Sequence, residues 1–143
     1  MNNYRYFMNM ALNIAKLSSD EVPVGCVIVH NEDIIAESCN KVEILQNPLL
    51  HAEMIAINQA LKVLNSKFLE KCILFCTLEP CRMCMAAIQL VRMKQVVFGA
   101  YNGAYNNVFH DKANKTDNNI EIIGGVCETE CSSILHSFFK SKR

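Results

Sequence analysis

A histidine and a carboxylate stand two apart in His51-Ala52-Glu53, and two cysteines stand three apart in Leu78-Glu79-Pro80-Cys81-Arg82-Met83-Cys84. One imidazole and two thiolates form a nitrogen and sulfur donor set suited to zinc. Three such ligands leave the fourth tetrahedral position open for water, the arrangement of a catalytic zinc rather than a structural one. Glu53 is not needed as a fourth ligand. Placed beside that water, its carboxylate can take a proton from it and later deliver one to a leaving group.

Other uses of paired cysteines fit less well. A redox Cys-x-x-Cys of the thioredoxin type follows the first strand of a βαβ unit and needs no distant His-x-Glu. A disulfide suits an oxidising compartment. Nothing here points to one: the N-terminal MNNYRYFMNMALNIAKL lacks the apolar core and cleavage site of a signal peptide, and no apolar run approaches the ~18 residues of a membrane span. The expectation is therefore a cytoplasmic protein with reduced thiols. Of the eight cysteines, Cys26, Cys39, Cys72 and Cys76 lie in strand-like apolar runs and read as packing residues, as do Cys127 and Cys131.

The elements that must position the donors can be read from periodicity. Residues 3–18 put Tyr4, Phe7, Met8, Ala11, Leu12 and Ala15 on one helical face. Residues 24–30 and 34–39 are strand-like around Asn31-Glu32-Asp33 and predict a hairpin. HAEMIAINQALKVL, residues 51–64, predicts a helix apolar on most sides and so buried between layers. Residues 73–77 read as a central strand, 82–91 as a second buried helix, and 95–98 as a strand. Residues 101–119 read as an asparagine-rich surface loop, 120–124 as a fifth strand, and 128–139 as a last helix. This order predicts a single α/β domain over residues 1–143, a three-layer α/β/α sandwich around a five-stranded mixed sheet. Right-handed crossovers would set the two buried helices side by side on one face, so that His51, Cys81 and Cys84 meet at one sheet edge.

Bulk composition bounds the function without choosing it. The chain has 143 residues, 51% of them hydrophobic and 20% charged, with 14 basic and 14 acidic side chains. That is enough for one continuous core, and the balance gives no global polyanion-binding signature.

The pairing of HAE with TLEPCRMC resembles the H-x-E…P-C-x-x-C signature of zinc nucleobase deaminases. The sequence looks like the cytidine-deaminase-like superfamily. Within it, the chain resembles the bacterial tRNA-specific adenosine deaminases along almost its whole length: DEVPVGCVIVHNEDIIAESCN, NPLLHAE, TLEPCRMCMAAI, VVFGA and the closing SFFKSKR. The resemblance implies that His51, Cys81 and Cys84 hold one zinc ion and that Glu53 shuttles protons. It implies that Asn40 hydrogen-bonds the purine and that the Ala52 amide contacts the group on the attacked carbon. The implied reaction is hydrolytic removal of ammonia from C6 of adenosine, giving inosine at the wobble position of a tRNA anticodon loop, where bases are already unstacked. It also implies a homodimer, with the segment MAAIQLV available for the contact. Deaminases of free bases such as guanine or cytosine share the same zinc motif and form the alternative. A non-catalytic zinc module is disfavoured, because structural zinc takes four protein ligands and needs no proton shuttle.

Two departures from the family pattern bear on substrate and leave the zinc chemistry untouched. Pro48-Leu49-Leu50 precedes the histidine where Pro-Thr-Ala is common. Asn102 stands where an acidic residue is expected near the nucleic-acid backbone, so its role in binding substrate carries one negative charge fewer beside phosphates. Tyr101 and Tyr105 are candidates for stacking on loop bases. Lys140, Lys142 and Arg143 form a basic ending after Phe138 and Phe139, while His110 and His136 read as residues without a role.

Overall fold

The computed structural model describes residues 3–103 and 120–142. Helix α1 (Tyr4–Ala15) buries Phe7, Met8, Ala11, Leu12 and Ala15, the face expected from their spacing. Strands β1 (Gly25–His30) and β2 (Asp33–Cys39) form an antiparallel hairpin. Its tip places Asn31 at φ 52° and Glu32 at φ 67°. Two consecutive left-handed residues match the right-handed twist of the flanking strands.

Helix α2 (Ala52–Leu64) leads into strand β3 (Cys72–Leu78), then helix α3 (Arg82–Leu90) and strand β4 (Gln95–Ala100). The short strand β5 (Glu121–Ile123) and helix α4 (Glu128–Ser141) follow. The sheet order is β2-β1-β3-β4-β5. β1 pairs antiparallel with β2 and β3, whereas β3–β4 and β4–β5 are parallel. β2 and β3 therefore run in the same direction, and the segments through α2 and α3 are both crossovers between parallel strands.

The layers follow from strand alternation. In β3, Leu74 and Cys76 face a core formed with Ala52, Ala56, Ile57 and Ala60 of α2 and Met85 and Ile88 of α3. Phe75 faces the other core, with Phe7, Met8 and Leu12 of α1 and Cys131 of α4. Both faces of β1 are covered, so five of its six residues are buried. The expected three-layer α/β/α sandwich with a five-stranded mixed sheet is the architecture observed. β5 is shorter than read from sequence, because only Glu121–Ile123 pair with β4. Cys39 is half-buried rather than buried, because it ends the edge strand β2. Tyr105, His110 and Arg143 lie outside the described residues, as does most of the 101–119 loop. Among the described residues no helix is long and apolar enough to cross a membrane.

α1 lies almost on the backbone of β1. A Cβ at Gly25 would come within 1.9 Å of the Ala11 carbonyl oxygen and 2.7 Å of the Ala15 nitrogen. These are main-chain atoms, so the helix itself would have to shift. Gly25→Ala is expected to destabilise the fold by about 1–3 kcal/mol or more, read as a lower urea midpoint at unchanged slope. Gly103→Ala, whose Cβ would meet nothing within 4 Å, should leave the midpoint where it is.

Candidate active site

His51 and Cys81 each occupy the N-cap position of a buried helix, α2 and α3 respectively. Serine, threonine, aspartate or asparagine is preferred there, and replacing such a cap costs about 1 kcal/mol of helix stability. Neither His51 nor Cys81 makes a side-chain cap. Both side chains are thus aimed elsewhere, and they are aimed at one another. His51 Nδ1 lies 3.6 Å from Cys81 Sγ and 3.6 Å from Cys84 Sγ. The three donor atoms all fall within 4.8 Å of one another.

Without a cation this cluster is electrostatically unbalanced. The Cys81 thiol is pulled down to about 4, because Cys84 hydrogen-bonds it and His51 does so next. Cys84 is pushed far up by donating to Cys81 and by its own burial. His51 is raised, chiefly by its hydrogen bond to Cys81. Two sulfurs and an imidazole nitrogen held this close are the donors a divalent cation would draw together. The positive ends of the α2 and α3 dipoles point to the same place and favour thiolates. The donor set of one imidazole nitrogen and two sulfurs fits zinc, and His51 and Cys81 border a cavity from which water could reach it.

Glu53 is in the first turn of α2 and only 4% exposed. Burial pushes its carboxyl above the usual carboxylate range, with a backbone hydrogen bond and His51 drawing it partly back. A carboxyl held beside a metal-bound water has the chemistry to take a proton from it and to give one back.

The cavity in front of these groups has a volume of about 610 Å³. His51, Glu53 and Cys81 form its floor, and Asn40 and Asn102 belong to its lining. His51, Cys81, Cys84, Glu53, Asn40 and Asn102 are thus brought to one place, with Ala52 between His51 and Glu53. The Ala52 N–H donates to Asn40 Oδ1 at 2.8 Å, and Asn40 Nδ2 donates to the Val22 carbonyl at 3.0 Å. Asn40 therefore ties the end of β2 to the start of α2 and keeps a second N–H on Nδ2 for a ligand. Leu49 is exposed and Leu50 half-exposed, and neither is in the cavity lining.

Four residues of the site escaped the sequence reading. The Ser38 hydroxyl donates to the Ala52 carbonyl, so Ala52 is pinned on both sides, by Ser38 and by Asn40. Glu21 and Glu79 are buried carboxylates in the cavity wall, and Phe138 reaches it from α4. Glu79 carried a signal, being a charge between an apolar strand and a ligand cysteine. Ser38 and Phe138 carried none, because strand and helix spacing alone do not say what lies opposite.

Comparison with known proteins agrees with this geometry. Residues 1–100 match the family model of the cytidine and deoxycytidylate deaminase zinc-binding region. The chain is 38% identical over 145 residues to the tRNA-specific adenosine deaminase of Bacillus subtilis (strain 168), covering 96% of this chain and 89% of that protein. It superposes with a TM-score of 0.82 and 33% identity on a structure from work on A-to-I editing by tRNA:A34 deaminases at the wobble position, covering 91% of this chain and 99% of that one. The chain belongs to the tRNA-specific adenosine deaminase family. A guanine deaminase from Bacillus subtilis is more distant in shape at 34% identity, with a TM-score of 0.66 and 81% and 79% coverage. Membership of this family and the His-Cys-Cys cluster together identify a zinc-dependent deaminase with zinc as its cofactor.

Cys84→Ser should abolish stoichiometric zinc in elemental analysis, while Glu53→Ala should retain it. Zinc affinity of the unaltered protein should fall as the pH drops below neutrality, since protons compete for both thiolates and the imidazole. Competition with a chromogenic chelator at several pH values measures this, and a flat profile would contradict the ligand set.

Proposed function

We propose that this protein, acting as a single zinc deaminase domain, converts adenosine to inosine by hydrolysis at the wobble position of a tRNA anticodon loop. The observation that carries the reading is one cavity lined by His51, Cys81 and the buried Glu53, with the third donor, Cys84 Sγ, 3.6 Å from His51 Nδ1. Its relatives' names support the RNA substrate.

Zinc, when bound by His51, Cys81 and Cys84, would make its water acidic enough to act as a nucleophile near neutral pH. Glu53 would take a proton from the attacking water and pass it to N1 of the ring as the C6–O bond forms. The same carboxyl would then move the proton of the new hydroxyl to the exocyclic nitrogen, which departs as ammonia as the C6–N bond breaks and the carbonyl of inosine forms. Asn40 uses its remaining Nδ2 hydrogen on the purine ring. The Ala52 N–H, directed at Asn40 Oδ1 in the free protein, is shared with the group on the attacked carbon. Asn102 contacts the sugar-phosphate next to the target base, with no negative charge to repel it.

A paired base cannot reach donors set this deep, so the target must be turned out of its stack. Phe138 in the cavity lining offers it an aromatic edge. Lys142 stands over the Phe138 ring at 5.5 Å and within 3.6 Å of Asp20. Both partners of that ion pair are largely solvent-exposed, so the pair contributes little to the fold and Lys142 is available to a phosphate. Tyr101 is half exposed and packs edge-on against Phe98, leaving one side for a flanking base. We also assign the protein to the cytoplasm as a homodimer, for which the exposed Leu90 of MAAIQLV offers apolar surface.

The deciding experiment measures inosine in two RNAs, one stem-loop with adenosine at the wobble position and one with it moved. Free guanine, cytosine and adenosine are tested alongside, with ammonia as the readout. Inosine at the wobble position alone is expected. Ammonia from a free base with both RNAs unchanged would replace this reading with that of a small-molecule deaminase. On the active substrate, zinc-replete Glu53→Ala should lose at least ~10²–10⁴ in turnover, and near-normal turnover would remove Glu53 from the mechanism.

A further inference from the structure

The proton transfers leave two buried carboxylates of the cavity wall without a task. Glu21 and Glu79 are 5% and 2% exposed, and neither belongs to the metal-donor cluster. Charges buried to that degree require hydrogen-bond donors. Glu21 receives them from a neighbouring loop: both of its oxygens accept the Glu43 N–H at 3.1 Å, and Oε2 accepts the Ile44 N–H at 2.8 Å. Glu79 Oε1 accepts the Asn102 N–H at 3.0 Å.

Each carboxylate thereby fixes a different stretch of cavity wall. Glu21 holds the turn that follows Asn40, in which Val42 and Glu43 line the cavity and which closes through Lys41 N–H to the Leu50 carbonyl at 3.0 Å. Glu79 holds residue 102 where the chain leaves β4. Main-chain bonds to a charged acceptor are among the stronger ones in a protein, so both stretches are held in place before any substrate arrives. We propose that Glu21 and Glu79 are positioning residues that hold the Val42–Glu43 and Asn102 walls at the spacing an extruded RNA base requires. On this view they set affinity for the RNA and take no part in the proton transfers, an inference that rests on the RNA-editing reading above.

The two clamps differ in a way that makes them testable. Glu21 uses both oxygens, so Glu21→Gln would turn an NH2 group onto a backbone donor. Among the described residues Glu79 uses one oxygen, so Glu79→Gln can keep its bond with Oε1. In zinc-loaded protein on the wobble-adenosine stem-loop, Glu21→Gln and Glu79→Ala are each expected to raise KM about tenfold with kcat within about threefold. Glu79→Gln should restore a near-normal KM. Unchanged KM in Glu21→Gln and Glu79→Ala, or a fall in kcat alone, would overturn the proposal.

Amide hydrogen exchange gives a readout independent of RNA. Exchange should quicken at Glu43 and Ile44 in Glu21→Gln, and at Asn102 in Glu79→Ala. Acceleration spread over the whole chain would instead make these residues general stabilisers and sink the proposal. Should the unaltered protein leave RNA untouched, the functional reading falls, and the exchange pattern still decides whether the clamps exist.

Discussion

His51 Nδ1 sits 3.6 Å from two cysteine sulfurs because the N-termini of α2 and α3 open at the same edge of one sheet, and the rest of the site is arranged around that meeting. It depends on β2, β3 and β4 running in one direction, with β1 inserted antiparallel between β2 and β3. A crossover between parallel strands is right-handed almost without exception. Two in succession place both helices on one face with their N-termini together. Two positive dipole ends brought this close would repel each other in a protein without a function there. Here they face the sulfurs of Cys81 and Cys84, where they favour the thiolate form.

The local cost is visible. The two helices most deeply involved give up conventional N-caps, since His51 and Cys81 occupy those positions without a capping bond. Stability is recovered around the site. Ala-rich α2 packs closely on Leu74 and Cys76 of β3. Ser38 and Asn40 grip the Ala52 peptide from the end of β2. The residue between His51 and Glu53 is thus held from both sides, which fixes the phase of the two relative to each other. Buried catalytic groups need such support to hold their geometry.

The two layers of the sandwich divide the labour. The α2–α3 layer carries the metal donors and Glu53. The α1–α4 layer closes the other side of the sheet with Phe7, Met8, Phe75 and Cys131, and contributes Phe138 to the cavity. β4 ends where Asn102 enters the wall. The metal donors and Glu53 thus come from helix starts, while other parts of the cavity wall come from the chain just beyond β2 and β4 and from α4. Asn102 can therefore change without altering an element that carries a donor.

Much of this was legible from the sequence because its signals are local. Helical spacing marked α1, apolar runs of helical or strand length marked α2 and β1–β4, and the donor types in HAE and PCRMC marked the metal chemistry at fixed spacing. The edges were less legible: β5 pairs over three residues, and Cys39 is half-buried because β2 is an edge strand, which nothing in its neighbours announces. The sequence by itself determined which atoms can bind zinc and which carboxylate can move a proton, since those depend on residue type. Only the tertiary structure decided what surrounds them. That Glu21 holds Glu43 and Ile44, that Glu79 holds Asn102, and that Ser38 holds Ala52 are contacts across 14 to 23 residues of chain. They arise from how separate elements pack, and no periodicity encodes them.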